Sequence, residues 1–260
     1  MTDLWTQAAA TSAAALAAGA LEPLETTELE TTDGGVLFGV RVLSSMRRKA
    51  ERPRRTGNPF LPPDPELVVG PWGPEHTLVL NRYPVFADHL LLITTDFAPQ
   101  TDPLTPADVA AAVSLLDAAD GLLFFNGGAE AGASQPHRHL QLVRTPLGPG
   151  PGAFPTAEHL DTGGLGVRLA GADLPEEPAE AYAVIQTLLA VLQLKPGEPY
   201  NLLATRRRVW IVPRRQEFSG SVSVNALGFA GSLLVRTLDE AHALIGAGPL
   251  RALQQTAFPA

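Results

Sequence analysis

The chemistry this chain could perform is concentrated in Ala131-Gly-Ala-Ser-Gln-Pro-His-Arg-His-Leu-Gln141, where His137, His139 and Gln141 are spaced two residues apart. On a strand, whose side chains alternate between faces, that spacing sets all three on one face. Pro136 favours an extended entry to the strand, and Gly128 and Gly132 allow a tight turn whose N–H groups could approach an anion. Three readings of the pair follow. Two imidazoles two residues apart can share a zinc or iron, with a third ligand drawn from His76, His89, His159, His242 or a carboxylate. They can be packed, hydrogen-bonded histidines with no chemical role. Or a neutral imidazole nitrogen can attack phosphorus, split a nucleotidyl transfer into two displacements and carry the group as a phosphoramidate. Under the third reading Gln141 is informative. An amide cannot supply a proton, so the leaving group must depart without one, as a polyphosphate can, while the amide N–H still stabilises charge on a non-bridging oxygen.

The elements that would hold these residues are partly legible. Leu4 to Leu21 reads as a helix, Val36 to Leu43 as a strand, and Pro53 to Pro74 as a connector too rich in proline for regular structure. Thr77 to Leu80 and His89 to Thr94 read as neighbouring antiparallel strands around the turn Asn81-Arg82-Tyr83-Pro84. Thr105-Pro106-Ala107-Asp108 predicts a capped helix start, with Val109, Val113, Leu115 and Leu116 as the apolar face through Ala119. Leu122 to Asn126 and Arg138 to Arg144 predict two strands joined by the turn Gly127 to Ser134. Pro146 to Pro178 reads as a long loop or inter-domain connection holding at most a short strand near Val167 to Leu169. A helix over Ala179 to Leu194, strands at Tyr200 to Thr205, Val209 to Val212 and Ser232 to Val235, and a helix over Leu238 to Ile245 complete the pattern.

With 260 residues, 45% of them hydrophobic, the chain can bury a sizeable core. No apolar run reaches the length of a membrane span, and the Ala-rich opening lacks the basic start of a secretory signal, so a cytoplasmic protein is expected. The absence of cysteine excludes disulfides, thiolate metal sites and cysteine nucleophiles. A net charge of −8 argues against a nucleic-acid binder. Twelve of the 19 basic residues nonetheless fall in Arg41 to Arg55 and Arg206 to Arg215, which read either as solvated charge or as a funnel for a polyanionic small molecule.

Several runs together resemble the histidine-triad superfamily: Leu80-Asn-Arg-Tyr-Pro-Val85, His89-Leu-Leu-Leu92, Asn126-Gly-Gly-Ala-Glu-Ala-Gly132 and the His-x-His strand. Glutamine in the third position resembles its transferase branch. Asn58-Pro-Phe-Leu-Pro-Pro63, Gly132 to Gln141 and Ser223-Val-Asn-Ala-Leu-Gly-Phe-Ala-Gly231 are similar to the diadenosine tetraphosphate (Ap4A) phosphorylases, or ATP adenylyltransferases. The resemblance implies an α+β fold, a histidine-triad-like antiparallel sheet with packed helices extended by a C-terminal sheet segment. It also implies a catalytic domain over residues 1–170 (core module 76–145) and a C-terminal domain over 171–260. The activity implied is nucleotide-binding and nucleotidyl transfer: Ap4A and phosphate to ATP and ADP, reversibly, through an adenylyl-histidine on His139.

By that resemblance Gln141 holds phosphate oxygens and His137 orders the site. Asn81 contacts the nucleoside, Asn126 the ribose or α-phosphate, and Ser134 with the Gly132 backbone lines the polyphosphate path, with His89 and Gln135 also at the substrate. Lys49, Arg214 and Ser219 are expected at the distal phosphates. No organic cofactor and no dedicated metal ligands are expected; magnesium or manganese would arrive with the polyphosphate. The expected partners are the nucleotides and phosphate alone, with no nucleic acid or membrane and a monomer rather than an obligate oligomer. The alternatives are a hexose-1-phosphate nucleotidyltransferase, disfavoured by Arg138 between the histidines, and a non-catalytic nucleotide sensor, disfavoured by the retention of His139 and Gln141.

Overall fold

The computed structural model describes residues 3–44, 57–148, 150 and 152–260. It opens with helix α1 (Leu4–Ala17), capped by Asp3, and a hairpin of strands β1 (Thr26–Asp33) and β2 (Val36–Leu43). The proline-dense connector is more regular than its composition suggests. Its described end carries β3 (Val68–Trp72), which pairs with β4 (His76–Leu80). Pro71 is tolerated because β3 is the sheet's edge. β5 (Leu90–Thr94) follows, then α2 (Pro106–Ala118), where Thr105 and Asp108 form a reciprocal capping box with Pro106 in the first turn.

β6 (Leu122–Gly127) and β7 (His139–Val143) are joined by the glycine-rich turn. The long segment after residue 146 contains α3 (Ala157–Thr162) and β8 (Ala170–Asp173), and Val167 makes only an isolated bridge to Pro259. The expected structureless loop is therefore partly folded, and its strand lies three residues downstream of the expected one. Helix α4 (Pro178–Val191) and strands β9 (Tyr200–Ala204) and β10 (Arg208–Pro213) come next. The chain ends with the two-residue strands β11 (Phe218–Ser219) and β12 (Val222–Ser223), helix α5 (Ala226–Phe229), strand β13 (Ser232–Val235), and helices α6 (Leu238–Ala247) and α7 (Pro249–Thr256).

Eight strands form one antiparallel sheet in the order β3-β4-β5-β7-β6-β9-β10-β8. A smaller sheet, β1-β2-β13, includes one parallel pairing, between β2 and β13. C-terminal strands thus serve both sheets: β9 extends the large one from β6, while β13 returns to the N-terminal hairpin.

Alternation along each strand assigns its side chains to one of two cores. Leu123, Phe125, Leu140 and Leu142 pack under α1, α2 and α4. Leu122, Phe124 and Val143 face the small sheet and helices α3, α6 and α7. Each such aromatic or aliphatic side chain stabilises by about 1.5–3 kcal/mol when fully buried. On this second face a separate cluster of Phe60, Val79, Leu91 and Ile93 covers the β4–β5 end. His139 and Gln141 of β7 point to the same face, in the gap between the two clusters.

Candidate active site

That gap is a cavity of about 600 Å³, lined by His139, Gln141, Ser134, Gln135, Asn81 and Tyr83 with Phe60, Val79 and Leu91 as apolar wall. Its volume is in the range of small-molecule sites.

His139 is buried, and its Nδ1 lies 2.8 Å from the carbonyl oxygen of His137. A carbonyl can only accept, so Nδ1 carries the proton and the neutral ring presents an Nε2 lone pair. Burial lowers the ring's pKa to about 4, against the opposing pull of the His137 carbonyl and with a smaller contribution from the His137 ring charge. At neutral pH His139 is therefore a neutral base or nucleophile whose Nε2 is left open by the one hydrogen bond its ring makes among the described residues. Phe60 lies tilted against it at 5.5 Å between ring centroids.

His137 shares the face but not the cavity. Its Nδ1 accepts from the Asn58 amide at 2.8 Å, and its Nε2–H donates to the Thr94 carbonyl at 2.9 Å and to the Thr94 hydroxyl at 2.8 Å. Phe60 and Phe97 flank the ring edge-on. Both nitrogens are engaged, so the His-x-His pair is not a chelate, and His137 ties Asn58 and β5 to the strand that carries His139. Burial also lowers its pKa.

Gln141 lines the cavity beside His139, its amide also close to the His89 ring. Behind it sits His89, whose Nδ1 accepts from the Asn81 amide at 3.2 Å; the Asn81 carbonyl oxygen is held by the Tyr83 N–H, which fixes the amide's orientation. His89 Nε2 therefore carries the proton, and it lacks a partner among the described residues. Burial lowers the His89 pKa to about 4; the Gln141 amide lies close enough to favour protonation without the geometry of a hydrogen bond to Nε2, and His139 lowers it further.

The remaining expected site residues divide sharply. Ser134, Gln135 and Asn81 line the cavity with His139 and Gln141. Asn126 is buried beside them in sequence but turns away: its Oδ1 accepts from Asn201 at 2.8 Å and from the Ala226 N–H at 3.0 Å. Gly132 adopts φ +87° and packs against Asn225, where a Cβ would meet the Asn225 Cβ at 2.7 Å, so it shapes the turn and does not line the cavity. Lys49 lies outside the described residues, as does most of the first basic stretch; Arg41 pairs with Glu28.

Two further expected site residues lie away from this cavity. Arg214 does not line this cavity. It is 1% exposed, and its five N–H donors are consumed by the carbonyls of Thr256, Ala131, Gln216 and Val224 and by Asn201. Ser219 donates to Gln255 on α7 at 2.7 Å and lines no part of the cavity. The second basic stretch is likewise not a funnel at this site: Arg206 pairs with Asp117, and Arg208 with Asp161 and Asp173.

Residues that sequence reasoning left without a role include Asn58, Phe60 and Gln100. The Asn-Pro-Phe run marked the first two as part of a motif; Gln100 stands in a loop with no motif signal.

Known proteins resemble this chain along its whole length. Residues 1–162 match the model of Ap4A phosphorylase N-terminal domains. The chain belongs to the Ap4A phosphorylase family. Residues 161–259 match the ATP adenylyltransferase C-terminal domain. The Saccharomyces cerevisiae diadenosine 5',5'''-P1,P4-tetraphosphate phosphorylase 2 is 30% identical over 248 residues, 78% of this chain and 76% of the yeast protein. The yeast Protein APA1 is 28% identical over 268 residues, 86% and 83% of the two chains. A crystal structure of yeast Ap4A phosphorylase Apa2 in complex with AMP superposes with a TM-score of 0.82 at 26% identity, covering 100% of this chain and 98% of that one. As a member of this Ap4A phosphorylase family the chain is an enzyme of the nucleotidyltransferase class.

Proposed function

We propose that this enzyme cleaves Ap4A with phosphate to give ATP and ADP, reversibly, by way of an adenylyl group on His139 Nε2. The observation that carries the reading is a neutral imidazole with its lone pair on the cavity, in a chain of the Ap4A phosphorylase family. In the first displacement Nε2 attacks the α-phosphorus, a P–N bond forms and the bridging P–O bond breaks, releasing ATP. In the second, a phosphate oxygen attacks the same phosphorus, the P–N bond breaks and ADP leaves, which returns His139 to its starting state.

Gln141 fits both steps. Its amide donates to a non-bridging oxygen as charge builds there and has no proton to give, and a polyphosphate leaving group needs none. The apolar wall of Phe60, Val79 and Leu91 suits a nucleobase, and Asn81 with the Ser134–Gln135 turn supplies polar contacts beyond it. Magnesium or manganese belongs to this reading as part of the substrate, carried on phosphate oxygens and waters. A cytoplasmic, monomeric enzyme completes the proposal.

The test is product analysis with purified protein, Ap4A and magnesium. ATP plus ADP forming only when phosphate is present supports the reading, and His139→Ala should abolish it while the protein stays folded. ATP plus AMP without phosphate, or wild-type rates in His139→Ala, would refute it.

A further inference from the structure

His139 is held by a side chain where a neighbouring strand would ordinarily hold it. The β6–β7 ladder runs from Leu122 opposite Val143 to Phe124 opposite Gln141 and stops there. Continued in that register it would set Asn126 opposite His139. Instead the carboxamide of Gln100, itself 2% exposed, is inserted between them. Its Oε1 accepts from the His139 N–H at 2.8 Å, and its Nε2 donates to the His139 carbonyl at 3.2 Å and to the Asn126 carbonyl at 2.8 Å. The donor and acceptor ends are fixed, because the His139 N–H can only donate. The backbone around Gln100 grips the same segment: its N–H donates to the Pro136 carbonyl at 2.8 Å, and the Arg138 N–H donates to the Ala98 carbonyl at 2.7 Å.

The reason for the insertion is the divergence of β6. Past Phe124 it leaves β7 but stays paired with β9 through Gly127 opposite Tyr200, and the Asn126 side chain is taken up by Asn201 and the Ala226 N–H. Without Gln100, both polar backbone groups of His139 that face β6 would be buried and unpaired. The ring is in turn set by the backbone through its Nδ1 bond to the His137 carbonyl.

We propose that Gln100 is a positioning residue for the transfer reaction: it fixes the backbone of His139, and thereby the direction of Nε2 into the cavity. This rests on the assignment of His139 as nucleophile. A displacement of the attacking atom by about 1 Å can cost on the order of 100-fold in rate. Gln100 lines no part of the cavity, so its loss should leave substrate binding nearly intact.

The test uses the full chain with Gln100→Ala and Gln100→Met, the second keeping most of the buried volume if the first does not fold. The expected result is a fall in kcat on the order of 100-fold with KM within about threefold. In nitrogen-15 spectra of the imidazoles, His139 should change from a single Nδ1–H tautomer to a mixture. Thr156→Val is the control: it removes a buried hydrogen bond to the Phe229 carbonyl away from the cavity, and should lower Tm while keeping kcat. Gln100 variants that lose only thermal stability at wild-type kcat, or that change KM alone, would overturn the proposal. If the wild-type enzyme does not act on Ap4A, the functional reading falls, yet the spectra still decide this point: a wild-type-like His139 signal in Gln100→Met overturns the positioning role.

Discussion

The low basicity of His139 should make the proposed first displacement unusually tolerant of acid. Burial holds the imidazole near pKa 4 against an ordinary value of 6.5. The neutral fraction at pH 5 is then about 0.9, against about 0.03 for an unperturbed ring. Relative to pH 7, kcat/KM for ATP release should fall to only about 0.9 at pH 5, where an ordinary histidine would drop to about 0.04, a difference of roughly 20-fold. The assay is rapid-quench measurement of one equivalent of ATP per enzyme from sub-saturating Ap4A, with magnesium fixed and phosphate omitted, so that only adenylylation is read. Ap4A suits it because each of its four phosphoryl groups is doubly linked and carries only the strongly acidic proton, leaving its charge constant over this range.

Folding must be followed in parallel. The native state leaves His139 and His89 unprotonated down to about pH 4, while the unfolded chain protonates them near 6.5. Their contribution to stability is whole above pH 6.5 and is lost as pH falls from there toward 4. At pH 5 the cost is on the order of 2 kcal/mol for each ring. A kcat/KM titration midpoint near 6.5 in protein shown by circular dichroism to be folded would refute the reasoning about His139.

Four further outcomes are expected. Gln141→Ala should lower kcat by on the order of 100-fold through loss of a charge-stabilising donor, while Gln141→His, which restores a proton donor, should raise AMP relative to ADP; an unchanged product ratio counts against that role. Arg214→Met strands four carbonyls and Asn201, and should cost about 3–5 kcal/mol, seen by calorimetry as a Tm lower by roughly 10 °C; a wild-type Tm would mean the five hydrogen bonds contribute nothing net. Gly132→Ala, at φ +87° and with a Cβ driven to 2.7 Å from that of Asn225, should destabilise by about 2 kcal/mol or more, and unchanged stability would show that the turn can move.

What the sequence determined by itself is whatever depends on neighbours a few residues away. The Thr105–Asp108 capping box and Pro106 start α2 by local hydrogen bonding and a preset φ, and both can be read from four consecutive residues. Period-two alternation placed His139 and Gln141 on the face opposite Leu140 and Leu142, and the Asn126 to Gln141 run carried enough of a family's spacing to name the chemistry.

The tertiary structure decided the rest, because it depends on contacts that local pattern does not encode. β1 has no apolar face of its own and exists as a strand because it pairs along its length with β2. β8 is an alanine and glycine segment made regular by β10, where Gly171 lets the Trp210 ring approach the backbone. Arg214 read as a phosphate contact because the charge ending the Trp210 to Arg214 run could reach the distal phosphates; only the convergence of four carbonyls and Asn201 from separate elements made burial favourable. Gln100 carried no motif at all. Its part follows from where β6 diverges from β7, and a strand's divergence is settled by what packs around it, here Asn201 and the turn at Asn225 from the far end of the chain.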